Sequence, residues 1–155
     1  MRKALGCSAF VLLCVTLLAG TAAATTKPAT VQQVKDQVQL IGEDTVRAIS
    51  SWSMLNPQEG LPACQAQVDH VAALKAMVRP TRYPKATWKT LMRGADLYAK
   101  AASECVAAAQ AELAGHDPAA LDAYKSSYKQ VKPEWDEASA LFDKANNALV
   151  KARIR

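Results

Sequence analysis

The chain has 155 residues, half of them hydrophobic, with 19 Lys and Arg against 14 Asp and Glu and only two His. Removing Arg2 and Lys3 with an N-terminal leader leaves 17 basic against 14 acidic side chains, a net charge of +3. That mild balance lacks the strong field that nucleic-acid binding calls for.

Residues 1–24 read as a cleaved signal peptide. Arg2 and Lys3 form a positive start, an apolar run extends from Ala9 to Ala19, and small residues close it at Gly20, Thr21, Ala22, Ala23 and Ala24. The run is shorter than the ~20 residues a spanning helix needs, so the mature chain is expected to have no transmembrane span. Export to the periplasm or secretion follows, with cleavage near Ala24. Cys7 and Cys14 would leave with the leader. Residues 25–155 are then one helical domain, with 25–29 as a flexible N-terminus.

Four apolar stripes with a three-four rhythm occupy that domain. The first helix starts at Thr30, an N-cap with Gln33 at the capping-box spacing. It turns Val31, Val34, Val38, Ile41, Thr45, Ala48, Trp52 and Leu55 inward. Asn56 and Pro57 stop it, and Gln58, Glu59 and Gly60 connect it to the next. The second helix is expected from about Pro62 to Arg79 with Leu61, Cys64, Val68, Val71, Leu74 and Val78 inward. After a Pro80–Pro84 turn, the third spans Pro84 to Ala114 on Trp88, Leu91, Ala95, Tyr98, Ala102, Cys105 and Ala109. Gly115 ends it. Asp117 and Pro118 open the fourth, whose stripe is Leu121, Tyr124, Tyr128, Val131, Trp135, Ala138, Phe142, Ala145 and Leu149. Pro133 falls inside it and predicts a kink.

Short connections favour antiparallel neighbours. The expected fold is therefore all-α, an antiparallel up-down-up-down four-helix bundle; the competitor is an open three-helix or irregular arrangement. Cys64 and Cys105 lie equally far from the turn at Tyr83–Pro84 and both face inward, so they should form one disulfide between helices 2 and 3. Closing a ~40-residue loop contributes about 3–4 kcal/mol in the chain-entropy model. The absence of a C-x-x-C spacing makes it a structural staple.

Catalytic chemistry is hard to place on these residues. Covalent haem needs C-x-x-C-H, which the chain lacks, and His70 and His116 do not supply a facing His and Met pair. Neither histidine has a Glu three positions before it, against a di-iron site. Met54, Met77 and Met92 read as packing residues, not copper ligands. No metal and no cofactor is expected. A nucleophile elbow is missing, and Asp69 and His70 point different ways on a helix. The pairs Glu43–Asp44 and Asp136–Glu137 fall outside the inward stripes and read as solvated surface.

One asymmetry stands out. Between Asp69 and Asp96 there is no acid, while Lys75, Arg79, Arg82, Lys85, Lys89 and Arg93 carry positive charge with Tyr83 and Trp88 interleaved. Lys85, Lys89 and Arg93 share one helix face. Lys85 and Lys89 also sit near a helix N-terminus, where the macrodipole disfavours cations. These eight residues are the candidate contact with an anionic partner: lipid headgroups, a wall polymer or an acidic protein patch. A solvated helix end would give the same pattern. Lys144, Lys151, Arg153 and Arg155 form a second cluster that complements the last helix dipole.

The expectation is an exported, non-enzymatic bundle that binds a partner protein or an anionic envelope surface. A small-molecule-binding protein or a cofactor-free, mutase-like enzyme with a pocket inside the bundle would instead place a charged side chain in a cavity. A periplasmic chaperone or inhibitor would expose an apolar groove.

Overall fold

The computed structural model describes residues 27–115 and 117–154; residues 1–26, which include the expected leader, His116 and Arg155 lie outside the described residues. Those residues form four helices and no strand: α1 (Val31–Ser53), α2 (Pro57–Ala76), α3 (Lys85–Gly115) and α4 (Pro118–Lys151). None of the four is long and apolar enough to cross a membrane.

Each start is set by a local device. Thr30 caps α1 through a full capping box with Gln33, Asn56 accepts from the Glu59 amide at the head of α2, and Asp117 accepts from the Ala120 amide at the head of α4. Pro57 and Pro118 occupy first-turn positions, where the missing amide hydrogen costs nothing. The second helix therefore begins at Pro57 and not near Pro62. Gln58, Glu59 and Gly60 are its first turn instead of a connection, because Asn56 caps more effectively than the prolines break. The same helix ends at Ala76, three residues before Arg79.

Cross-helix contacts fix the order and direction. The Gln37 amide donates to the His70 carbonyl and Gln67 donates to Thr45, so α1 and α2 run antiparallel. The Cys64–Cys105 disulfide, with Cα atoms 6.0 Å apart, joins α2 to α3. Tyr98 meets Ser139 at 2.7 Å and packs on Phe142 at 4.9 Å, joining α3 to α4. An up-down-up-down bundle results, as the stripes imply. Trp52 returns α1 to α4 through its stack on Tyr124 at 5.2 Å and its contacts with Tyr128 and Trp135. Its Nε1–H donates to the Tyr124 carbonyl at 2.9 Å. Elsewhere α1 and α4 are a loose pair, and most of the packing runs in sequence order. Pro133 interrupts one backbone bond, yet α4 continues unbroken through it.

One apolar cluster draws on all four helices, including Ile41, Leu74, Leu91 and Trp135. A polar chain crosses it. Trp135 Nε1–H donates to Gln67 Oε1 at 3.1 Å, Gln67 Nε2–H donates to Thr45 Oγ1 at 2.5 Å, and the Thr45 hydroxyl donates to the Ile41 carbonyl at 2.7 Å. These three buried donors therefore find acceptors inside the fold.

Four expectations need correction. On α2 the buried residue is Gln67, while Val68 is half-buried; the stripe is rotated toward Gly60, Ala63, Cys64, Gln67, Val71 and Leu74. Val78 and Leu55 are exposed because both lie beyond the helix ends, and Leu55 takes a left-handed φ of 55°. Met54 is 65% exposed and is no core filler, whereas Met77 and Met92 pack against the core. Asp44 is fully buried rather than solvated.

Candidate functional site

The alternation of helix directions determines which charged segments meet. α1 starts, α2 ends, α3 starts and α4 ends at the same end of the bundle. The Ala29 amide donates to the Val78 carbonyl at 3.0 Å, and Lys27 to Gln32 lie against Pro80, Thr81 and Arg82. Tyr83 of the α2–α3 turn shares a cleft with Lys35 of α1 and with Ala145 and Asn146 of α4.

Within the eight candidate residues the roles divide. Lys75 pairs with Asp96 at 2.6 Å and Arg93 with Glu137 at 2.8 Å, all four on exposed side chains. Such surface pairs contribute about 0–1 kcal/mol each and partly cancel the positive field. Arg79 donates to the Tyr83 carbonyl and so holds the turn closed. Tyr83 is only 3% exposed, with its ring edge-on to Trp88 at 5.7 Å. Burial pushes its phenol up to about 12. Trp88 is half-buried and packs against the core. The aromatics thus brace the turn from inside.

That leaves Arg82, Lys85 and Lys89. All three are exposed, and no described acid lies within 4.0 Å of them. Spacing along the sequence could not show this division, because it depends on acids that α3 and α4 bring across.

The fold also joins what the sequence separates. Lys27 and Lys35 from the head of α1, and Lys144, Lys151 and Arg153 from the tail of α4, lie at the same end as the turn. Among the described residues of these terminal segments (27–36, 77–90 and 144–154), Asp36 is the only acid, and Asp143 borders Lys144 and Lys151 on α4. The far end holds Glu59, Glu104, Glu112, Asp117 and Asp122 against Arg47, Lys125 and Lys129. The bundle is electrically polar along its axis, although its net charge is small.

A second grouping went unseen in the sequence. Asp44 of α1 accepts from Arg47 on its own helix and faces His70 of α2, with Oδ2 to Nδ1 at 2.5 Å. A carboxylate can only accept, so Nδ1 carries the proton of this contact. A dyad of this form orients a general base in hydrolytic sites. Here no serine, cysteine or threonine is bonded to the ring, and no group of three or more His, Cys, Asp or Glu among the described residues could hold a metal. The contact supplies a hydrogen-bond donor to one oxygen of the buried Asp44 carboxylate, and Arg47 supplies one to the other. Its signal was the i, i+3 step from Ile41 to Asp44, which competes with the i+4 step to Thr45.

Comparison with protein-family models, with curated proteins and with solved structures finds no match to this chain.

Proposed function

We propose that the protein is a non-enzymatic binding module of the cell envelope, whose basic end docks on an anionic phospholipid surface. The observation that carries this reading is the convergence of the α2–α3 turn, the head of α1 and the tail of α4 at one end, with acids gathered at the other. An axial charge distribution orients the molecule in the field of an anionic surface before contact. Each Lys or Arg near such a surface contributes about 1 kcal/mol.

Co-sedimentation with phosphatidylglycerol vesicles and with phosphatidylcholine vesicles tests it. Binding to the first and not the second is expected, weakening as salt shortens the Debye length from about 10 Å at 0.1 M to about 3 Å at 1 M. Charge reversal at Arg82, Lys85 and Lys89 should lower the affinity at least a hundredfold, since three cations at about 1 kcal/mol each already amount to that. Equal binding to both vesicles, or unchanged binding by the triple variant, would overturn the proposal.

A further inference from the structure

The loose seam between α1 and α4 opens into a cleft of about 300 Å³ near the basic end. Its floor is apolar. Leu91 of α3 and Phe142 and Ala145 of α4 are buried there, Val38 of α1 is half-buried, and Tyr83 closes one side. Its rim is polar and sided. Lys35 and Gln39 stand on the α1 lip and Asn146 on the α4 lip. No described acid lies within 4.0 Å of the Lys35 ammonium, and the nearest acid in sequence, Asp36, is held by Gln32 at 2.6 Å.

We infer that this cleft is a binding site for a small acyl carboxylate, with its hydrocarbon chain on the Leu91–Phe142 floor and its carboxylate against Lys35. Ligand pockets begin at about 300 Å³ and combine apolar walls with a few convergent polar groups. At about 30 Å³ per water molecule in the liquid, the cleft has room for on the order of ten water-sized units, comparable to the chain of a medium-length fatty acid. The rim selects the head group. One ammonium flanked by two carboxamides balances a single negative charge and offers donors to two oxygens. A phosphate or other dianion would leave one charge unbalanced against the single Lys35 ammonium, and no second cation lines the cleft. Burying the chain gains about 0.8 kcal/mol per methylene in water-to-apolar transfer, while a neutral head would leave the ammonium without its counter-charge.

This inference does not rest on the membrane-docking proposal, although Lys35 and Tyr83 also belong to the basic end. The test is calorimetric titration of the purified protein with decanoate, held below its micelle concentration, and with decanol. Saturable one-to-one binding of decanoate is expected, with decanol at least tenfold weaker. Lys35→Gln should weaken decanoate about tenfold and leave decanol unchanged. Ala145→Leu, which fills the floor, should abolish both; circular dichroism confirms that it is folded, and if it is not, the Lys35→Gln and decanol comparisons decide alone. The triple variant of the basic turn should bind decanoate as the parent does. No saturable decanoate binding, decanol binding as tightly as decanoate, or an unchanged affinity in Lys35→Gln would each overturn the assignment.

Discussion

His70 Nδ1 lies 2.5 Å from Asp44 Oδ2 across the seam of α1 and α2, and the carboxylate it meets is fully buried. A buried charge is tolerated only when partners replace its water. Arg47, from the same helix, supplies the second partner on the other oxygen. The Arg47 side chain is 63% exposed, so it covers the carboxylate from the solvent side while His70 locks it to the neighbouring helix.

His70→Ala removes the only cross-helix donor to that carboxylate among the described residues. Losing one partner of a buried charged hydrogen bond costs about 1–3 kcal/mol. Urea unfolding should therefore show a loss of that order for His70→Ala. Asp69→Ala, at the adjacent exposed position, should change stability by no more than about 0.5 kcal/mol. Equal effects of the two substitutions would mean that the Asp44–His70 contact holds nothing together.

Most of the bundle was legible because long helices leave many turns over which a three-four rhythm can be counted. Thr30, Asp117 and the Cys64–Cys105 pair announce themselves by residue type and spacing, and all three stand where that logic puts them. Two of the differences share one cause: burial does not require apolarity. Gln67 is buried where the apolar pattern points to Val68, because its amide satisfies Trp135 and Thr45 at once, which no valine can do. Asp44 is buried for a related reason, its two oxygens meeting Arg47 and His70. The basic end was half legible. The turn showed in the sequence, but its union with Lys27, Lys35 and the tail of α4 depends on helix directions. Which cations are neutralised depends on Asp96 and Glu137 arriving from α3 and α4.

Leu55 carries a second expected outcome. It follows the C-cap of α1 at a φ of 55°, its amide donates to the Trp52 carbonyl, and the Asn56 amide reaches back to the Ser51 carbonyl. This is the position where glycine ordinarily ends a helix. A side chain there costs about 1–2 kcal/mol, because Cβ crowds the following carbonyl. Leu55 is 38% exposed, so replacing it also gives up packing, and the strain is read by comparing glycine with alanine, which both lose that packing. Leu55→Gly should be more stable than Leu55→Ala, which keeps Cβ, by about 1 kcal/mol in denaturant unfolding. Equal stabilities of the two variants would show that the left-handed backbone carries no strain.

The tyrosines set the alkaline limit. Burial pushes the Tyr83 and Tyr124 phenols up to about 12 from an ordinary 10.0, with the Glu112 carboxylate adding to the effect on Tyr124. Burial raises Tyr98 as well, against hydrogen bonds from Ser139 and Thr45 that lower it. A phenol with a higher pKa in the fold than in the unfolded chain binds its proton more tightly when folded. Its contribution is complete below pH about 10 and is lost as pH climbs through about 12. Unfolding free energy should accordingly fall between those limits, and Tyr83→Phe with Tyr124→Phe should flatten the fall. Tyr124 has a further feature: its hydroxyl is buried with no hydrogen-bond partner among the described residues, and a Cβ added at Gly60 would sit 3.0 Å from it. An unsatisfied buried hydroxyl costs about 1–3 kcal/mol, so Tyr124→Phe alone should raise stability at neutral pH by about 1 kcal/mol. Loss of stability in Tyr124→Phe would reveal a bond made by that hydroxyl, and an unflattened alkaline limb in the double variant would assign the fall to other groups.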